Sequence, residues 1–153
     1  MWRTTNYYYM KLFSKAGNRA FATTDVMNGD AIDEKVYISP TIDTESEEIY
    51  LKLVNSEAVA KDLQIKLDNR NIYKVVLEYI SSDDTSIKNQ GAQNYYSSYP
   101  GIVNFNYNEA IVPQTTGFGP VKKSFNINIP ENSVCVIKLI PENEDAINSV
   151  KLS

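Results

Sequence analysis

The sequence predicts an all-β protein, an antiparallel β-sandwich or jelly roll, with one short α-helix at its N-terminal end. Three observations carry that expectation. Runs of β-branched and aromatic residues alternate with polar ones at period two, as half-buried strands do. Turns rich in Asn, Asp, Gly and Pro separate these runs at short spacing. Only the stretch from residue 4 to 17 repeats its apolar residues at spacings of three and four instead.

In that first stretch, Thr5 or Asn6 can cap a helix bearing Tyr8, Tyr9, Leu12, Phe13 and Ala16 on one side, with Gly17-Asn18 as its stop. Such an aromatic stripe has to be covered by something. Strand candidates follow at Glu34–Ser39, at Glu48–Asn55 (Ile49, Leu51 and Leu53 on one face) and at Leu63–Leu67. Tyr73–Ile80 is more uniformly apolar, as a central strand would be. From Ser81 to Gly119 the chain is polar and rich in Asn, Tyr, Gly and Ser, with an irregular strand expected at Ile102–Tyr107. Near the end, Phe125, Ile127 and Ile129 alternate with Ser124, Asn126 and Asn128. Pro130 stops that run, Glu131-Asn132-Ser133 turns, and Val134–Leu139 begins a second strand, so a closing hairpin is expected. The chain divides into a helix at residues 1–18 and a sandwich at 19–153.

Composition removes several classes of function. With 153 residues, 42% hydrophobic and 22% charged, the chain suits one globular domain with its own core. No apolar run approaches the roughly 18 residues of a membrane helix, and Met1–Tyr7 lacks the continuous apolar stretch of a secretory signal. Neither a membrane nor a nucleic acid is expected as partner, since the net charge is -4 and the lysines are scattered. Cys135 is the sole cysteine, which rules out an internal disulfide, leaves the compartment open, and reads as a small core residue. Histidine is absent altogether, excluding Ser-His-Asp and Cys-His mechanisms and imidazole-based zinc sites.

The remaining candidates for chemistry are modest. Carboxylates pair at Asp33-Glu34, Glu47-Glu48, Asp83-Asp84 and Glu144-Asp145. Neighbours in a strand point to opposite faces, so adjacent carboxylates do not form the facing dyad of a glycosidase. Asp83-Asp84, with Ser82 and Thr85, could offer oxygens to calcium, yet the glycine and glutamate of an EF-hand loop are missing. Gly117-Phe118-Gly119 lacks the third glycine of a dinucleotide fingerprint, Lys122 standing in its place, and reads as a turn before the strand at Phe125. No catalytic residue, metal site or cofactor is therefore expected. Tyr95, Tyr96 and Tyr99 cluster among amide side chains, where aromatic faces could stack on sugar rings and amides could bond hydroxyls. Covering a sheet edge is the alternative role for them.

Four segments, taken in order, resemble the C-terminal end of the family 51 α-L-arabinofuranosidases. Asn6-Tyr7-Tyr8-Tyr9-Met10-Lys11-Leu12-Phe13-Ser14 is similar to the helix that closes the catalytic barrel there. Ile49–Asn55 is similar to a strand in which a lysine, an apolar pair and an asparagine follow one another. Ile111-Val112-Pro113 resembles the family's Val-x-Pro turn, and Phe125–Leu139, with Pro130 and Ser133-Val134, resembles its final hairpin. The likeness runs from residue 6 to about 140. Gln90–Asn108 looks longer than the family's counterpart, and residues 141–153 have none.

That resemblance implies an accessory sandwich plus the last barrel helix, separated from the barrel strands that bear the family's catalytic glutamates. No position here matches either glutamate motif, so the chain is expected to be inactive alone. Tyr8, Tyr9, Leu12 and Phe13 would face the catalytic barrel; without it they fold onto the sandwich, pair with a second copy, or stay exposed. The expected role is a non-catalytic accessory domain in arabinan or arabinoxylan breakdown. Two alternatives of other classes are a free-standing carbohydrate-binding module using the Tyr95–Tyr99 loop on arabinose-containing polysaccharide, and a protein-interaction domain anchored by the aromatic helix.

Overall fold

The structure, a computed structural model, describes residues 5–21, 36–67, 70–82 and 111–142. These form one helix, α1 (Thr5–Phe13), and eight strands: β1 (Arg19–Ala20), β2 (Val36–Ile42), β3 (Ile49–Asn55), β4 (Lys61–Lys66), β5 (Ile72–Ser81), β6 (Gln114–Phe118), β7 (Ser124–Ile129) and β8 (Ser133–Pro141). The architecture is the expected antiparallel all-β one with a short helix. Six strands make a sheet in the order β1-β2-β3-β8-β5-β6, and β4 pairs with β7 in a second layer.

Period-two alternation builds the space between the layers. In β3, Ile49, Leu51 and Leu53 are buried. Cys135, Ile137 and Leu139 of β8 lie beside them, each with no exposed surface. Val75 and Leu77 of β5 extend the same face, and Leu63, Phe125, Ile127 and Ile129 reach it from the β4–β7 layer. The outer side of that layer is polar, with Asp62 opposite Asn128 and Gln64 opposite Asn126. Residues opposite one another share a face, so successive pairs alternate between core and solvent, as in a half-buried antiparallel ribbon.

The expected closing hairpin is not one. Phe125, Ile127 and Ile129 do face the core, but β7 pairs with β4, whereas β8 lies between β3 and β5 in the other layer. The connection is a corner between layers, and its hydrogen bonds explain why. The Pro130 carbonyl accepts from Asn55 Nδ2 at 2.9 Å and from Ser133 Oγ at 2.6 Å. Ser81 Oγ donates to the Glu131 carbonyl at 2.7 Å, and Asn132 N donates to the Glu57 carbonyl at 2.8 Å. The polar groups of the turn are thus held by the ends of β3 and β5, not across a hairpin. Buried Asn55 completes its own set by donating to the Val59 carbonyl and accepting from Glu57 N.

Three smaller differences have local causes. α1 stops at Phe13, leaving Ala16 outside the helix and exposed, because Ser14 Oγ donates to the Lys11 carbonyl at 2.7 Å and caps the last turn. Gly17 serves a close approach instead: a Cβ there would lie 2.0 Å from the Ile42 carbonyl carbon. Gly117-Phe118-Gly119 is expected to be a turn, but Gly117 and Phe118 end an exposed edge strand on β5, Gln114–Phe118, and the chain turns at Gly119. Gly119 has φ 141°, and a Cβ would meet the Tyr73 carbonyl oxygen at 2.6 Å, so only glycine fits. The strand expected at Ile102–Tyr107 lies outside the described residues.

Candidate functional site

The expected site residues that the structure describes all lie on α1, and α1 lies on the sheet face opposite β4–β7. Alternation sends Tyr50, Lys52 and Val54 of β3, Val134, Val136 and Lys138 of β8, and Val76, Glu78 and Ile80 of β5 to that face. Tyr8 and Leu12, four apart and hence stacked on one side of the helix, are buried against Ile80, Val136 and Ile111. Tyr9, Phe13, Tyr50, Val112 and Val134 close the rim of this second cluster. Of the three fates open to the stripe, the fold takes the first for Tyr8 and Leu12: they pack on the sandwich.

Charge frames the contact. Lys15 pairs with Glu78 just past the helix end, and Lys52 Nζ lies 5.9 Å from the Phe13 ring centroid. Beside them Tyr50 donates its hydroxyl to Glu48 Oε2 at 2.8 Å, while Lys138 Nζ reaches the same carboxylate at 3.1 Å and lies 5.7 Å from the Tyr50 ring centroid. Burial, together with the neighbouring Glu48 carboxylate, raises the Tyr50 pKa. For Lys138 burial pulls downward, but Glu48 and Tyr50 outweigh it and hold the ammonium above its ordinary value. The phenol keeps its proton, donated to Glu48, and the trio forms an ion-paired border beside α1. Met10 (75% exposed) and Tyr7 (42%) are open to solvent, as is Tyr37 of β2 (61%), which lies opposite Val54 and continues the apolar row Val54–Val134–Ile80 on the α1 side of the sheet.

Elsewhere the acidic pair that can be followed does not converge. Glu48 faces Lys138, whereas Glu47 stands at φ 59° in the turn, 3.7 Å from Arg70. Asp43 organises that turn, its carboxylate accepting from Ser46 N and Glu45 N at 2.9 Å, and those bonds lower its pKa. Asp33-Glu34, Asp83-Asp84 and Glu144-Asp145 lie outside the described residues, as do Tyr95, Tyr96 and Tyr99. Among the described residues no cluster of Cys, Asp and Glu could hold a metal ion. No described helix is long and apolar enough to cross a membrane.

Cys135 is a core residue, as its strand position implied. Burial pushes its thiol up to about 11, against a weaker opposing contact from Ser133. Ser133 Oγ donates to the Pro130 carbonyl at 2.6 Å and lies 3.2 Å from Cys135 Sγ. What sequence reasoning missed were the helix's partners: Tyr50, Ile80, Ile111 and Val136. For Tyr50, Ile80 and Val136 the signal was strand parity, readable only once the pairing partners are known, whereas Ile111 lies before β6 and has no such period.

No family profile and no curated protein matches the sequence. Among solved structures, the chain is similar to the arabinose-bound family 51 α-L-arabinofuranosidase MgGH51. The two share 24% identity over 92% of this chain and 20% of that one, with a TM-score of 0.66. It is also similar to the family 30 subfamily 8 xylanase Xyn30A from Clostridium acetobutylicum, at 14% identity over 88% of this chain and 27% of that one, TM-score 0.52. At these identities the likeness is one of fold, and the chain spans about a fifth to a quarter of the structures it matches. In fold, as in the four segments of its sequence, the chain resembles a C-terminal sandwich domain of the family 51 α-L-arabinofuranosidases.

Proposed function

We propose that the chain is a non-catalytic accessory domain of an α-L-arabinofuranosidase-like glycoside hydrolase acting on arabinan or arabinoxylan. The observation that carries this reading is the overlap of nearly the whole chain with a fifth of an arabinose-bound arabinofuranosidase. The helix supports it too: Tyr8 and Leu12 are occupied in packing, and among the described residues no buried side-chain nitrogen or oxygen lacks a hydrogen-bond partner. In this reading α1 belongs to the sandwich through Tyr8 and Leu12. Its other side, with Tyr9 and Phe13 at the flanks and Met10 outward, is the surface left for a catalytic barrel. Tyr95, Tyr96 and Tyr99 are the sugar-contacting candidates of the alternative reading, a free-standing carbohydrate-binding module.

The test is an arabinofuranosidase assay on the pure chain, using a chromogenic arabinofuranoside. No turnover is expected, and robust turnover would overturn the proposal. Calorimetry with arabinoxylan oligosaccharides separates the binding-module reading. Binding abolished in both Tyr95→Ala and Tyr96→Ala would replace a supporting role with carbohydrate recognition.

A further inference from the structure

We draw no further inference here: the strongest candidate, the exposed apolar patch formed by the outward face of α1 at Met10 and by Tyr37 on the same side of the sheet, overlaps the contact already proposed for α1, and nothing in the structure shows what covers its Tyr37 end.

Discussion

One face of the six-stranded sheet is covered by strands and the other by a helix, and the two are built from different kinds of sequence information. On the strand-covered face, β3, β5, β8, β4 and β7 each contribute alternate residues, so the core is assembled from many short segments of equal weight. On the helix-covered face a single nine-residue element, α1, supplies Tyr8 and Leu12, and they meet a small apolar patch ringed by ion pairs. The first face is what makes the sheet a sheet. The second is an attachment, with a polar border and an outer side that is still exposed.

This contrast sets an order of expected effects. Ile137→Ala removes a fully buried side chain from the centre of β8, and a loss of about 4 kcal/mol is expected by denaturant unfolding, within the usual range for such truncations. Every probe of structure should report that loss together. Leu12→Ala is expected to cost about 3 kcal/mol or somewhat less, because a helix lying on a sheet can shift to close the gap. Hydrogen exchange should then rise in α1 while β3 and β8 stay protected; equal loss in both would show that the two faces form one cooperative unit.

Cys135 allows the strand-covered face to be tested by pH alone. Its folded pKa is raised above the ordinary thiol value of 9.0, to about 11, so the stabilisation is complete below pH 9. It is lost as pH climbs from 9 through 11, since the unfolded chain ionises first and binds fewer protons. Two units correspond to about 3 kcal/mol at most. Tyr50 and Lys138 also titrate in the alkaline range, so the informative quantity is the difference between the parent and Cys135→Ala, whose stability should converge toward high pH. Parallel pH curves would mean that the thiol is not shielded.

The smallest effect belongs to the border of the helix-covered face. Lys15→Ala breaks the pair with Glu78, but the lysine side chain is 42% exposed, so about 0.5 kcal/mol or less is expected in a thermal melt. A larger loss would make the ion pairs, and not Leu12, the main hold on α1.

The same contrast explains how far the molecule could be read in advance. Ile49, Leu51 and Leu53, or Phe125, Ile127 and Ile129, announce a buried face by alternation, and each is buried as expected. Alternation does not name the neighbour: nothing local in Ser124–Leu139 shows that Asn55 and Ser81, distant in sequence, capture the turn and send its strands into different layers. Gln114–Phe118 was illegible for another reason. An edge strand exposed at every residue carries no hydrophobic period, and its Gly117 looks like a turn. The helix stripe was visible, but its two halves were not equivalent: Tyr8 and Leu12 went inward while Tyr9 and Phe13 stayed at the rim, a choice made by Ile80 and Val136. As for the amide-rich loop, stacking surfaces such as Tyr95 and Tyr96 are recognisable by composition alone, without any indication of which way they point.

The position of β8 has a consequence for how the chain comes together in time. It is the last described strand, yet both of its neighbours, β3 and β5, are made much earlier. As the chain leaves the ribosome, β2–β3 and β5–β6 can each pair, but their apolar faces have no common sheet until Ser133–Pro141 appears. Closure then demands two long loops at once, a slow, non-local step. Until it happens, Leu51, Leu53, Val75 and Leu77 stand beside unpaired strand edges, a combination that favours association with other chains.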